Sequence, residues 1–279
     1  MVQMNTKSEN LRIVGVFAHP DDEGFGSGGT LAMLSSRGHS ITIICATNGD
    51  VGEISDLDLA TPETLGRVRK SELFSAMNAM GIHDLRFLNY RDSGMQGSED
   101  NKHSNALINS EPDMVISRVS QILSEIKPDI ILTHDPTGGY GHPDHKTISS
   151  HTTEAYLKMV HREKSIKSAL YYVCFPRSDF QRVWETLYEL GIKPPFASEN
   201  LDDLGTPDEV VTTIVDVRDY VDTKIASLNC HKTQIDPNGP FEQLPEKMLR
   251  DIMSIEHYQL AYPKYSKLDH DILGKLSNI

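Results

Sequence analysis

Arg12-Ile13-Val14-Gly15-Val16-Phe17-Ala18-His19-Pro20-Asp21-Asp22-Glu23 joins a packed apolar run to an abrupt polar cluster. The branched residues favour an extended, buried segment over Arg12 to Ala18. A glycine-rich polar turn is expected from His19 to Gly29, followed by a helical apolar pattern at Leu31, Ala32 and Leu34. A second strand is expected over Ser40-Ile41-Thr42-Ile43-Ile44-Cys45-Ala46. Strand, helix and strand within about 35 residues form a β-α-β unit, which demands a parallel sheet and a right-handed crossover.

The pattern continues outward. Thr61 to Met80 reads as a helix, with Thr61 as cap, Pro62 in the first turn and Gly81 beyond the last. Leu85 to Leu88 is a short strand, Pro112 to Ile126 a helix, and Asp129 to Thr133 a buried strand. A helix is expected from Pro143 or Asp144 to about His161, strands over Ala169 to Phe175 and Val210 to Val217, and helices over Arg218 to His231 and Leu244 to Ile255. The alternation implies an α/β, Rossmann-like doubly wound fold: a mostly parallel sheet flanked by helices. Asp92 to Glu111 and Gly191 to Pro207 read as long loops of the kind that shape substrate sites.

The 279 residues suit one large α/β unit. Hydrophobic residues at 38% and charged residues at 24% exclude wholesale disorder. No apolar run reaches the ~20 residues of a membrane helix, and Met1 to Lys7 lack the apolar core of a secretory signal. Three widely spaced cysteines, Cys45, Cys174 and Cys230, argue against a disulfide framework or thiolate zinc site and suit a reducing cytoplasm. A net charge of -13 disfavours nucleic acid and anionic membranes as partners. A homo-oligomer remains open.

Two clusters carry chemistry: His19-Pro20-Asp21-Asp22-Glu23 and Tyr140-Gly141-His142-Pro143-Asp144-His145. Each follows an expected strand, and in open parallel sheets ligands collect beyond the carboxyl ends of strands. The fold can therefore bring together segments more than a hundred residues apart. Imidazole with carboxylate suits Zn2+, Fe2+ or another divalent transition metal, with positions left for water and substrate. Solvated turn residues are the plainer alternative for either cluster alone. Gly24-Phe25-Gly26-Ser27-Gly28-Gly29 also fits the G-x-G-x-x-G dinucleotide fingerprint, with Asp50 downstream. Asp21, Asp22 and Glu23 would repel a pyrophosphate there, so a dinucleotide-dependent oxidoreductase is the weaker alternative, and the glycines are better explained by close backbone packing around the first cluster. No G-x-x-x-x-G-K-S/T occurs.

At these residues the chain resembles the LmbE-like, or PIG-L, N-deacetylase family. Ala18 to Glu23 match its A-H-P-D-D-E signature and His142 to His145 its H-P-D-H signature. Further matching blocks are Thr47-Asn48-Gly49-Asp50, Arg69-Lys70-Ser71-Glu72-Leu73, Tyr90-Arg91-Asp92-Ser93-Gly94-Met95, Gly138 to Gly141 and His231-Lys232-Thr233-Gln234. The R-D-S-G-M and G-G-Y-G-H-P-D-H segments look most like the mycothiol branch, its glucosaminyl deacetylase and its conjugate amidase. The resemblance implies a single domain over residues 1–279, thinner after about 165. It implies zinc-dependent hydrolysis of the N-acetyl or a related amide group of an amino-sugar or glycoconjugate substrate. It places His19, Asp22 and His145 as metal ligands and Asp21 as general base. It places His142 as general acid or electrostatic stabiliser, Asp144 as its orienting partner and Tyr140 as a mobile oxyanion donor. Arg69 and Asp92 take substrate contacts. A carboxylate beside His142 would favour its cationic form. Gly26 departs from relatives with a polar residue there, and Gly97 to Glu111 and Arg177 to Pro207 match none that can be placed. A non-catalytic module that keeps the fold is the remaining alternative, opposed by the complete set of matched residues.

Other polar residues carry weaker expectations. His134 begins the loop before the second cluster, as a strand-end packing residue or a support to the site. His231 anchors C-terminal helices. Glu23 is either a support to backbone or imidazole, or a solvated carboxylate. Cys45 is core, and Met248, Met253, Tyr258 and Tyr262 fit helix and strand packing. His39, His83, His103, His151, His161, His257 and His270 face solvent or bond locally.

Overall fold

The computed structural model describes residues 10–194, 204–263 and 272–277. Met1 to Lys7, His270 and much of the expected loop from Gly191 to Pro207 lie outside them.

Seven strands form one sheet in the order β3-β2-β1-β4-β5-β7-β6. They are β1 (Arg12–Phe17), β2 (Ser40–Thr47), β3 (Asp84–Tyr90), β4 (Ile130–His134), β5 (Ala169–Cys174), β6 (Thr213–Asp216) and β7 (Ile255–Tyr262). The first five pair in parallel; β7 runs antiparallel between β5 and β6. The helices are α1 (Asp22–Ser36), α2 (Leu65–Ala79), α3 (Pro112–Ile126), α4 (Pro143–Arg162), α5 (Arg177–Glu189), α6 (Val221–Leu228), α7 (Glu246–Met253) and α8 (Ile272–Ser277). The α/β, doubly wound, mostly parallel expectation is borne out.

The sheet is buried on both faces, which explains why its central strands read as continuous apolar runs. Ile13 and Phe17 of β1 share one core with Leu31 and Leu34 of α1, Leu73 and Met77 of α2 and, toward the β6 edge of the sheet, Leu273 of α8. Val14, Val16 and Ala18 face the other way, toward Val115, Val119 and Leu123 of α3 and Ile148 and Met159 of α4. A smaller cluster joins Val183, Trp184 and Leu187 of α5 to Leu204 and Leu244, with Tyr140 against it. Among the described residues no helix is long and apolar enough to cross a membrane.

Several expectations need correction. The stretch from His19 to Gly29 is not one turn: α1 begins at Asp22, and the glycines lie inside it. They serve packing of helix against neighbours rather than of backbone around the cluster. A Cβ on Gly26 would stand 2.3 Å from Val173 Cγ1, and one on Gly29 2.5 Å from Val217 Cγ2 and 2.6 Å from Val217 Cβ. Helix α2 starts at Leu65, because Thr61 to Thr64 close a separate turn in which Thr61 O accepts from Thr64 N–H. Strand β6 covers only Thr213–Asp216 of Val210 to Val217, and Arg218 to His231 splits into a short 3-10 turn and α6. The expected helix over Leu244 to Ile255 is α7, after which β7 follows without having been expected; α5 was likewise unread. Cys45 is core as expected.

Strand β7 matters beyond the sheet. The buried Glu256 carboxylate accepts from Gly29 N–H at 2.9 Å and Thr30 N–H at 2.8 Å, in the middle of α1. It also accepts from Lys224 Nζ at 2.7 Å and Tyr258 OH at 3.1 Å. The C-terminal third thus fixes the helix whose first turn carries Asp22. Gly29→Ala should destabilise the fold by roughly 1–3 kcal/mol, because the added methyl meets the stiff branch of Val217. Thermal melts check this; an unchanged midpoint would refute the packing role of Gly29.

Candidate active site

The sheet order explains where the site lies. From β1 the chain steps to β2 and β3 on one side, and then returns to lay β4 on the other side of β1. The carboxyl ends of β1 and β4 therefore flank the point where winding reverses, the standing position for ligands in such sheets. The first cluster leaves β1 there and the second follows β4 after a short loop. Gly138, Gly139 and Gly141 of that loop all adopt positive φ, which L side chains resist. The loop is pinned by buried Asp135, whose carboxylate accepts from Thr137 Oγ1, Gly139 N–H and Thr206 Oγ1.

Three side chains converge. His19 Nδ1 lies 3.2 Å from His145 Nε2 and 3.3 Å from Asp22 Oδ2, and His145 Nε2 lies 3.2 Å from Asp22 Oδ1. Their other atoms set the tautomers. His145 Nδ1 stands 3.2 Å from Gly138 O, a group that can only accept, so Nδ1 carries the proton and Nε2 a lone pair. His19 Nε2 faces Asp144 Oδ2 at 3.2 Å and Asp92 Oδ1 at 3.5 Å, which assigns its proton to Nε2 and turns the Nδ1 lone pair inward. Two nitrogens and a carboxylate aimed at one point repel one another unless a positive charge sits among them: a metal ion or, in its place, a proton on His19 Nδ1 shared with Asp22 and His145. A tetrahedral ion with bonds near 2.0–2.1 Å gives ligand separations of about 3.3 Å, so this donor set fits a divalent metal.

His134 competes for the same place. Its Nε2 is 3.4 Å from Asp22 Oδ2, and Asp22, His134 and His145 form a second group compact enough for a metal. However, that nitrogen accepts from Ala18 N–H at 3.1 Å, so its lone pair is engaged. His134 is the last residue of β4, not the start of the loop, and its ring stacks on His145 with centroids 4.0 Å apart.

The neighbours take definite positions. Asp21, just before α1, is 3.1 Å from Arg69 Nη2. Burial raises its pKa to about 6, opposed chiefly by the Arg69 charge. Arg69 is itself buried; its Nη2 also donates to Pro20 O at 2.8 Å and its Nη1 to Gly49 O at 3.1 Å. The guanidinium thus stands behind Asp21. Asp92 is buried and accepts from Gly94 N–H at 2.8 Å; burial pushes its carboxyl up, but facing His19 and that N–H hold it well below the usual carboxylate range. Tyr140 sits edge-on to His145 and His142, its phenol pushed above the usual range by burial and then by the Asp22 charge.

Two expectations change here. The Asp144 carboxylate does not orient His142: it accepts from Ser93 N–H and Ser93 Oγ and faces His19, and only the Asp144 backbone N–H reaches His142, at Nδ1. Nor is His142 pushed toward its cation. Burial above all lowers its pKa to about 2, and the N-terminus of α4 that it caps disfavours positive charge. Because Nδ1 accepts, the neutral ring carries its proton on Nε2. Glu23 is not a solvated carboxylate but is fully buried. Ser93, inside the R-D-S-G-M block, was missed as a partner of Asp144; only its place in that block marked it.

The chain belongs to the PIG-L family, whose model, described as GlcNAc-PI de-N-acetylase, matches residues 14–156. Among its relatives is the 1D-myo-inositol 2-acetamido-2-deoxy-alpha-D-glucopyranoside deacetylase of Acidothermus cellulolyticus, 36% identical over 93% of this chain and 93% of the relative. The enzyme of the same name from Geodermatophilus obscurus is 35% identical over 90% and 92%. In fold, the chain is similar to the N,N'-diacetylchitobiose deacetylase of Pyrococcus horikoshii: TM-score 0.60, 21% identity, 93% of this chain and 87% of the other. It also resembles a 4-carboxy-2-hydroxymuconate hydratase of Pseudomonas putida, at TM-score 0.54, 15% identity, and 92% and 98% coverage. The shared fold thus accommodates more than one chemistry.

The His19–Asp22–His145 and Asp22–His134–His145 assignments are separable by metal content. Elemental analysis of purified protein should find about one divalent ion per chain. Asp22→Ala and His145→Ala should abolish it, whereas His134→Gln should retain it. Loss of metal in His134→Gln with a folded chain would move the ligand assignment to His134.

Proposed function

We propose that this chain is a zinc-dependent N-deacetylase that hydrolyses the acetamido group of an amino sugar carried on a small polyol. His19, Asp22 and His145 are the residues that would hold the ion. The observation that supports this most is the convergence of His19, Asp22 and His145 on one point, with Asp21 next to Asp22 in the chain and within reach of its charge. The curated relatives support the substrate class, since their names specify an inositol-linked 2-acetamido sugar. Two nitrogens and one carboxylate suit zinc, although iron(II) takes the same set.

When bound, such an ion polarises the amide carbonyl and lowers the pKa of water toward about 7. The chain's own groups do the rest. Asp21 accepts a proton from the attacking water as the new C–O bond forms. When the C–N bond breaks, Asp21 returns that proton to the departing amine nitrogen. His142, neutral and protonated on Nε2, donates a hydrogen bond to the tetrahedral oxyanion and keeps its proton; its lowered pKa supports the stabiliser of the two roles expected for it. Tyr140, whose phenol stays protonated at neutral pH, is a second donor. Each such donor contributes on the order of 3 kcal/mol to lowering the barrier. Asp144 holds His19 in its ligating tautomer, and Arg69 keeps Asp21 ionised.

The test is release of free amine and acetate from the inositol-linked 2-acetamido sugar, compared with a thiol-conjugate amide and with free N-acetylglucosamine. The deacetylase reading requires the acetamido sugar to be preferred; preference for the conjugate would assign the amidase branch. Asp21→Ala should keep its metal and lose at least ~100-fold in kcat. A near-parental rate would remove Asp21 from the role of base.

The pH dependence follows from the same group. A base works only when ionised, so kcat/KM should fall as pH drops through the Asp21 pKa, at about 6 or below once a cation is near. Arg69 lowers that pKa, so Arg69→Gln should move the acid limb to higher pH. An unmoved limb would separate Arg69 from Asp21.

A further inference from the structure

We propose that His231 and Glu23 form a buried clamp on the backbone of Asp21, and that His231 is thereby a positioning residue for the base. The proposal rests on reading Asp21 as that base. Asp21 adopts φ 129° and ψ −26°, a conformation that L residues rarely take. Such strain costs of order 1–3 kcal/mol and persists only where the surroundings impose it. Here they do so from two sides. Asp21 N–H donates to Glu23 Oε2 at 3.0 Å, and Glu23 Oε1 lies 2.9 Å from His231 Nε2. Glu23 is 1% exposed and His231 0%. From the opposite side, Arg69 grips Pro20 O and the Asp21 carboxylate.

The segment that supplies His231 also holds Arg69 in place. Thr233 N–H and Oγ1 donate to the two oxygens of buried Glu72, at 2.8 and 2.6 Å. Glu72 stands three residues after Arg69 on α2, so both share one helix face. Ser55 ties the same segment to the loop after β2, its N–H on Thr233 O and its Oγ on Lys232 O. His231 to Gln234 therefore spans both halves of the grip on Asp21: the backbone through Glu23, and the guanidinium through Glu72. A buried imidazole–carboxylate pair is a costly way merely to fasten two helices. Its free oxygen is spent on the N–H of the one strained residue that the chemistry uses.

A cycle of variants of the metal-loaded enzyme, assayed on the inositol-linked 2-acetamido sugar, tests the clamp. His231→Asn is too short to reach Glu23, whereas His231→Gln reaches it. His231→Asn should lower kcat roughly tenfold or more with KM and metal content unchanged, and His231→Gln should restore most of that loss. In an Asp21→Ala background His231→Asn should cost less than about twofold, because a support has no effect without the group it supports. If His231→Asn does not fold, Glu23→Asp, too short to span both partners, takes its place. Parental kcat in the short variant, no rescue by Gln, or an undiminished loss in the Asp21→Ala background each overturns the clamp. Parental turnover in Asp21→Ala alone instead overturns the reading of Asp21 as base.

Discussion

Two imidazole lone pairs and a carboxylate held 3.2–3.3 Å apart in a buried space are the constraint on which the rest depends. Their mutual repulsion is relieved by a metal ion or, in its place, by a proton on His19 Nδ1, and the surroundings hold the rings in position by other means. Hydrogen bonds at the far side of each ring do this: Asp144 for His19 and Gly138 O for His145. Asp144 is held in turn by Ser93, just beyond β3, so three strand ends contribute to the orientation of the His19 ring. The fold supplies the meeting place because β1 and β4 lie side by side where the winding reverses.

The N-terminal cluster is also governed from the distant end of the chain. Glu256 on β7 holds the middle of α1, and Glu23 in its first turn meets His231 beyond α6. The helix bearing Asp22 is thus fixed along its length by residues more than two hundred positions away. Its glycines let that happen, since they bring α1 against Val173 and Val217 without intervening side chains. These partners come from the part of the chain where the resemblance to the family is thinnest.

What the sequence disclosed follows the range of the forces involved. The β-α-β opening was legible because strand and helix periodicities are local, and Pro112 to Ile126 is helical over the residues expected. The two chemical clusters were legible because signature blocks and strand ends coincide. Strand β7 was not: Ile255 to Tyr262 mixes buried and half-buried residues directly after a helix, and its antiparallel place depends on β5 and β6. The buried state of Glu23 was equally hidden, since its partner His231 lies outside any local window. Asp144 was read as the partner of its neighbour His142, whereas its carboxylate folds toward Ser93 and His19. Sequence proximity there outweighed the direction in which a helical side chain points.

Fold likeness by itself does not decide the chemistry, since a hydratase shares the architecture at 15% identity. The decision lies with the strand-end side chains and the ion they would hold. Anomalous diffraction at the zinc edge from crystals of the zinc-loaded protein examines that point most directly. A single peak about 2.0–2.2 Å from His19 Nδ1, an Asp22 oxygen and His145 Nε2 is the expected result. A peak centred on His134 without His19, or no ordered peak between the ends of β1 and β4, would contradict it.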